Sequence, residues 1–111
     1  MGLPLEISPQ ELRRRQASGE SFAVVDIREP FETALCVLAG AELIPMGTLG
    51  ERFDDLRALA RNQLLILLCH HGIRSLNSAY ALREHGIDNC QSLAGGIDRW
   101  SREIDPGVPR Y

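Results

Sequence analysis

The sequence predicts an α/β domain built on a mainly parallel sheet. Two continuous, largely apolar runs, Phe22–Asp26 and Leu64–Leu68, have the composition of strands that are buried on both faces, as strands of parallel sheets are. Segments with helical patterns separate the strands, and this alternation is typical of parallel sheets joined by crossover connections. With 111 residues, 44% of them hydrophobic, the chain is predicted to form one domain, residues 1–111.

The first helix is predicted from its end signals. Ser8 suits the N-cap and Pro9 the first helical position, while Gly19 would end the helix. Leu12 and Ala17 are predicted to face the core. The other predicted elements are a short edge strand (5–7), the strand 22–26, a short helix (30 to about 35), a short strand (42–45), a helix (about 49–61), the strand 64–68, a helix (about 74–85), a strand (89–93) and a helix after residue 96.

Composition excludes several classes of function. Twelve basic residues against 15 acidic ones give a formal net charge of −3, which argues against nucleic acid as a partner, because such binders usually carry a basic excess. Every basic residue is an arginine, so lysine Schiff-base chemistry and a lysine-bearing P-loop are excluded. The longest aliphatic run, Leu64–Leu68, is far shorter than the roughly 20 residues of a membrane span, so no membrane partner is expected.

Three cysteines, Cys36, Cys69 and Cys90, are an odd number that does not suit a disulfide framework. The first residues lack the basic and then apolar pattern of a secretory signal. We therefore predict a cytoplasmic protein with reduced thiols. Cys90 is interpreted as a core strand residue. Cys36 has two interpretations, a packed side chain or a resolving thiol that forms a disulfide with Cys69.

The turn after the strand Leu64–Leu68 is the predicted site, because ligands bind beyond the carboxyl ends of strands in such sheets. Cys69 ends this strand and a helix follows, so the turn aims main-chain N–H groups inward and the helix adds partial positive charge. Such an environment favours a thiolate. Gly72 permits the turn. Arg74 would serve either an anionic substrate or a carboxylate that anchors the loop. A packed, unreactive cysteine is the structural alternative.

Other polar residues have structural and functional interpretations. His70 and His71 are adjacent in a tight turn and belong to no metal-binding spacing, so neither a metal site nor a cofactor is predicted. Asp26 and Arg28 follow a buried strand, where they would form a buried salt link beneath the loop or shape the pocket directly. His85 is interpreted as a helix C-terminal cap.

Four segments resemble, in the same order, motifs of the rhodanese-like sulfurtransferase family. Residues 69–75 are similar to the family's loop Cys-x-x-Gly-x-Arg-Ser, and residues 26–32 are similar to its segment Asp-x-Arg-x-x-x-Glu. Residues 39–46 lie where the family has a Gly-Ala and Ile-Pro stretch, and residues 93–100 are similar to its ending Leu-x-Gly-Gly-x-x-x-Trp. Nearly the whole chain is covered. The resemblance implies a three-layer α/β/α fold with a five-stranded parallel sheet, and no cofactor.

The same resemblance implies the activity of a thiosulfate sulfurtransferase. Cys69 would accept a sulfane sulfur from thiosulfate or a persulfide donor and pass it to cyanide or a thiol. A sulfur-relay protein is a further candidate partner. The residues that would supply N–H groups around the persulfide are His70, His71, Gly72, Ile73 and Arg74, with Ser75, Asp26 and Arg28 as loop support.

The length of the loop distinguishes a sulfurtransferase from phosphatases that have a related loop. Six residues run from Cys69 to Arg74, one fewer than in the related phosphatases with Cys-x5-Arg, and a sulfur atom needs a smaller cradle than a phosphoryl group. A cysteine-dependent phosphatase or arsenate reductase is therefore disfavoured, while a non-catalytic sulfur carrier stays open. The chain departs from the family where Val37 and Ala39 replace the usual His and Pro, a change expected at the pocket mouth or a partner surface.

Overall fold

The computed structural model describes residues 2–111 and contains one five-stranded sheet. Its strands follow the order β1-β5-β4-β2-β3, and every pairing is parallel. The predicted parallel sheet is thereby confirmed. The elements are β1 (Glu6–Ile7), α1 (Pro9–Ser18), β2 (Phe22–Asp26), α2 (Pro30–Thr33), β3 (Glu42–Leu43), a 3-10 helix (Met46–Arg52), α3 (Phe53–Leu59), β4 (Leu64–Leu68), α4 (Ile73–Glu84), β5 (Cys90–Leu93) and α5 (Gly96–Glu103).

The central strand β4 divides the core in two, because successive side chains of a strand point to opposite faces. Leu65 and Leu67 lie in one buried cluster with residues of α3 and α4. Leu64, Ile66 and Leu68 lie in a second cluster with residues of α1 and α5. All five of these side chains are buried. The continuous apolar run thus reflects a strand covered by helices on both faces, which gives the three layers that the resemblance implies.

Two sequence expectations are wrong in detail. Ala17 is exposed, whereas Leu12 is fully buried. Ala17 follows Leu12 by five positions, which places it about 140° around the helix axis from the buried face. The helix expected over residues 49–61 begins as a 3-10 helix at Met46 and becomes α-helical only at Phe53. The 3-10 segment contains Gly47, and glycine is a poor α-helix former.

The register of the sheet sets where the site lies. Asp26 at the end of β2 pairs with Leu68 at the end of β4, and the Ile27 N–H donates to the Leu68 carbonyl at 2.9 Å. Residues 26–28 therefore lie beside the turn that starts at Cys69. Among the helices described in residues 2–111, none is long and apolar enough to cross a membrane.

Candidate active site

The turn between β4 and α4 surrounds the sulfur of Cys69 with hydrogen-bond donors. The Gly72 N–H donates to Sγ at 3.1 Å and the Ser75 N–H at 3.3 Å, while the Ser75 hydroxyl lies 3.2 Å away. Within residues 2–111, no acceptor is found for the N–H groups of the other four loop residues, which are His70, His71, Ile73 and Arg74. The turn is therefore suited to hold negative charge at the sulfur and on an atom bonded to it.

The carbonyl side of the turn is fixed by helix α5. The Ile97 N–H donates to the Cys69 carbonyl at 2.9 Å, and the Asp98 N–H donates to the His70 carbonyl at 3.1 Å. These bonds satisfy the first N–H groups of α5, which have no partner inside the helix. With its carbonyls held against α5, the turn is left with its N–H groups directed the other way.

Two glycines permit this close packing. Gly72 has φ +96°, and a Cβ there would lie 2.8 Å from the Gly95 nitrogen. Gly96 has φ +61°, and a Cβ there would lie 2.3 Å from the His70 carbonyl oxygen. Both conformations and both distances exclude a larger residue without movement of the turn. The Gly-Gly pair at the start of α5 therefore packs against the cysteine loop, although about 25 residues separate the two in sequence.

A short chain of hydroxyl groups extends from the sulfur into the sheet. Ser75 is fully buried, and its Oγ lies 2.7 Å from the Oγ of Ser92 on β5. Ser92 is also fully buried. Ser92 was not identified from sequence, where it is marked only as a serine within the predicted strand 89–93.

Arg74 is held by Glu32 in a bidentate ion pair. Its two terminal nitrogens lie 2.7 and 2.8 Å from the two carboxylate oxygens. The bonds from Arg74 lower the pKa of Glu32 to about 2, and the same bonds raise the pKa of the arginine. Of the two interpretations of Arg74, the geometry matches a carboxylate that anchors the loop. Glu32 closes the segment 26–32 but was not singled out in sequence.

Asp26 and Arg28 form a fully buried ion pair, with Nη2 and Oδ2 2.7 Å apart. Arg28 also donates to the Cys36 carbonyl at 2.8 Å and to the Glu32 carbonyl at 3.4 Å. Within residues 2–111, Arg28 makes no hydrogen bond to the turn 69–75. The pair therefore fixes the segment around α2, and it reaches the loop indirectly, through Glu32 and through Tyr111.

Cys36 is buried beside this pair. Its Sγ lies 3.8 Å from Nη1 of Arg28, and the thiol is free, as are the other two. Burial and the contact with the Arg28 guanidinium match the interpretation of Cys36 as a packed side chain. The alternative, a resolving thiol that forms a disulfide with Cys69, stays a hypothesis.

An aromatic stack flanks the turn. The rings of His70 and Tyr111 are parallel within 8° with centroids 3.8 Å apart. The His71 ring also packs against His70, with centroids 3.8 Å apart and the two planes tilted by 32°. Burial and the charge of His71 lower the pKa of His70. The Tyr111 hydroxyl donates to Glu32 at 2.8 Å and accepts from Arg28 at 3.1 Å. Tyr111 was not identified in sequence, where nothing marks it except an aromatic side chain.

The two histidines come closer to a third possible ligand than the sequence suggests. Ligand atoms of His70, His71 and Asp98 lie within 4.8 Å of one another. The Asp98 carboxylate, however, is bonded by Arg102 at 3.0 Å and by Arg110 at 2.8 Å. Each carboxylate oxygen of Asp98 is thus already bonded by a guanidinium, and a cation bound there would have to compete with one of these two arginines.

Access to the sulfur is through a small cavity of about 260 Å³. The Cys69 residue itself is only 1% exposed, whereas Ile73 at the rim is 72% exposed. The cavity is lined by Cys69, His70, His71, Ile73 and Arg74. The sequence predicted these five loop residues and also Gly72, which does not line the cavity but donates to Sγ. Ser75, also predicted, is fully buried beneath them.

Cys90 and His85 lie outside this site. Cys90 is fully buried, and burial raises the pKa of its thiol. His85 caps α4 as predicted, with Nδ1 2.9 Å from the Ala81 carbonyl oxygen.

Comparison with known proteins identifies the same architecture. Residues 8–103 match the family model of the rhodanese-like domain. A curated protein of Allochromatium vinosum named sulfurtransferase is 30% identical, with 94% of this chain and 92% of that protein covered. A rhodanese-like domain protein of Staphylococcus aureus has a similar solved structure, with a TM-score of 0.76, 29% identity, and 100% and 99% of the two chains covered.

Longer proteins contain a similar segment. A probable adenylyltransferase/sulfurtransferase of Mycobacterium tuberculosis, MoeZ, is 31% identical over 95% of this chain. The chain spans about a quarter of that relative, since 26% of the longer protein is covered.

Proposed function

We propose that this chain, which belongs to the rhodanese-like domain family, is a sulfurtransferase that carries a sulfane sulfur on Cys69. One observation supports this most strongly: Sγ accepts hydrogen bonds from the Gly72 N–H of the six-residue turn at 3.1 Å and from the Ser75 N–H that follows the turn at 3.3 Å. A persulfide extends the side chain by one sulfur atom and keeps a negative charge. The N–H groups of the turn that have no acceptor are positioned to bind that outer atom.

The proposed reaction has two half-reactions. The Cys69 thiolate attacks the outer sulfur of thiosulfate and forms a new S–S bond, while the old S–S bond breaks and sulfite leaves with its electron pair. An acceptor then attacks the outer sulfur of the persulfide. Cyanide becomes thiocyanate, or a thiolate becomes a persulfide, and the Cys69 thiolate is restored. A covalent intermediate between two substrates implies ping-pong kinetics.

The geometry disfavours the phosphatase alternative. Both terminal nitrogens of Arg74 are bonded to Glu32. A phosphatase loop needs its arginine free for two phosphoryl oxygens. The turn is also one residue shorter than that loop requires. These features support transfer of a single sulfur atom.

The small cavity supports a small anionic donor. Its volume of about 260 Å³ accommodates thiosulfate, and the N-terminus of α4 beside Sγ favours an anion. We propose thiosulfate or a persulfide as donor, cyanide or a thiol as acceptor, and a sulfur-relay protein as a further partner. The free thiols suit the cytoplasm, which we propose as the compartment.

The first test is the intact mass of the protein after incubation with thiosulfate. We expect a gain of about 32 Da, which cyanide removes and which the Cys69→Ser variant does not show. Cys36→Ser is the matched control, since Cys36 is also a buried free thiol. It should gain the same mass as the unmodified protein.

Steady-state rates then separate the enzyme from a carrier. Repeated turnover of thiosulfate and cyanide supports the enzyme, whereas one sulfur per chain without turnover supports the non-catalytic carrier. No mass gain with either thiosulfate or a low-molecular-weight persulfide would refute both. Cys69-dependent hydrolysis of an aryl phosphate would favour the phosphatase instead.

A further inference from the structure

Tyr111 lies outside the Cys69 cavity but contacts two residues next to it, His70 and Glu32. Its ring lies flat on His70, with centroids 3.8 Å apart, and its main-chain oxygen is 3.0 Å from Nε2 of the same histidine. Its hydroxyl donates to Oε2 of Glu32 at 2.8 Å, the oxygen that also binds Arg74. His70 and Arg74 both line the cavity, whereas Tyr111 does not. One residue therefore touches one lining side chain, His70, and the carboxylate that holds a second, Arg74.

The segment that carries Tyr111 is itself held in place. Val108 is buried in the cluster that contains Trp100, and its carbonyl accepts from the Ser101 hydroxyl. Arg110 is paired with Asp98 at 2.8 Å. These contacts tie residues 108–110 to α5. Tyr111 is therefore presented to the loop by an anchored segment.

We propose that Tyr111 is a positioning residue for the donor-binding side of the Cys69 site, which holds the His70 ring and the Glu32–Arg74 pair in a single arrangement. The inference rests on the proposed sulfur transfer for its kinetic part. It goes beyond that function because it assigns a role to a residue that touches neither the sulfur nor the cavity.

Two substitutions separate the two contacts. Tyr111→Phe keeps the ring on His70 and removes the hydroxyl bonds to Glu32 and Arg28. Tyr111→Ala removes both contacts. Tyr80→Ala is the matched control, because Tyr80 is 57% exposed on α4 and has no hydrogen-bonded or stacked partner within residues 2–111. A general effect of losing a surface tyrosine would appear in the control as well.

The first readout is the titration of the His70 imidazole by NMR, which needs no sulfur transfer. Tyr111→Ala exposes that ring to water, so its lowered pKa should rise toward the ordinary value. Tyr111→Phe keeps the ring covered and should change it little. The charged groups that bear on His70 are His71 in the loop, Glu32 of α2 with its partner Arg74, and Asp98 of α5 with its partners Arg102 and Arg110. All six remain in every variant.

The second readout is the steady-state kinetics with thiosulfate and cyanide. We expect Tyr111→Ala to raise KM for thiosulfate about tenfold and to change kcat less than about twofold, because the walls that bind the donor loosen while the sulfur and its N–H donors stay. Tyr111→Phe should raise KM about threefold. A loss of folded protein alone would lower kcat per chain and leave KM unchanged.

The outcomes separate the two proposals. If Tyr111→Ala matches Tyr80→Ala in both the His70 titration and KM, the positioning role is overturned. It is also overturned if only the melting temperature and kcat fall. If the unmodified protein forms no persulfide, the proposed function fails, yet the His70 titration still decides whether Tyr111 positions that ring.

Discussion

Cys69 and Cys90 are both buried cysteines at the ends of neighbouring strands, and they differ in what surrounds the sulfur. Cys69 follows β4, where its Sγ accepts N–H bonds from Gly72 and Ser75. Cys90 begins β5, where its Sγ faces the carbonyl oxygens of Ala79 and Ile87 at 3.7 and 3.3 Å. One thiol meets donors and the other meets acceptors.

The difference follows from the direction of the chain around α4. Cys69 lies at the start of this helix, where N–H groups have no partner within the helix. Cys90 lies beside its second half and the turn beyond it, where carbonyls are available. Donors stabilise a thiolate, whereas acceptors and burial keep a thiol protonated. Two cysteines that are equally buried therefore have opposite hydrogen-bonding surroundings.

The largest expected effect is on alkylation of the native protein. Iodoacetamide should modify Cys69 at least about a hundredfold faster than Cys90, because Cys69 opens to a cavity while Cys90 reacts only when the core opens. Peptide mass spectrometry at timed intervals measures both rates in one sample. Equal rates would remove the distinction between the two thiols, and denaturant should make them equal.

The next effect concerns the glycine that lets α5 approach the loop. Gly96→Ala places a Cβ against the His70 carbonyl, so the turn must shift and sulfur transfer should fall about a hundredfold, with about 2–4 kcal/mol lost in unfolding free energy. Gly86→Ala is the control, since Gly86 also has positive φ but no atom within 4 Å of the added Cβ. The unfolding free energy of Gly86→Ala should fall by about 1 kcal/mol, as measured by urea unfolding, while its rate of thiocyanate formation should stay unchanged.

The smallest of the three effects is the pH dependence that Glu32 gives to the unfolding free energy. Its pKa is about 2 in the folded protein, below the ordinary value, so its contribution to stability is complete above about pH 4.5 and is lost as pH falls toward 2. Glu32→Gln should cost about 2–3 kcal/mol at pH 7 and almost nothing near pH 2. Urea unfolding across this range measures it, with the exposed Glu51→Gln as control. A cost that does not change with pH would contradict the ion-pair explanation.

Much of the fold could be predicted because its strands are buried on both faces. A run such as Leu64–Leu68 has few alternatives to a central parallel strand, and capping residues such as Ser8 mark a helix start locally. The error at Ala17 is of another kind. Composition favoured burial, but the position of Ala17 around the helix axis, set by where α1 packs, decided its exposure.

The candidate site was predictable where its residues are consecutive. Cys69, Gly72 and Arg74 belong to one turn, so their spacing alone indicated a cysteine loop with N–H donors. Glu32, Ser92 and Tyr111 reach the turn from other elements. Glu32 matches the last position of the Asp-x-Arg-x-x-x-Glu motif, but the motif does not show that this carboxylate binds Arg74. Ser92 and Tyr111 carry no local signal, because a serine or tyrosine in isolation is compatible with many environments.

Local patterns of apolar, capping and glycine residues were enough to predict the order of the elements, the parallel sheet and the position of the cysteine turn. The residues that hold the turn from other elements became visible only in the folded chain. The carbonyls of the turn are bonded by α5, Arg74 by Glu32, and His70 is covered by Tyr111. The physical reason is that such contacts depend on crossover geometry and helix packing, which bring distant residues within hydrogen-bonding distance without any local constraint on their spacing.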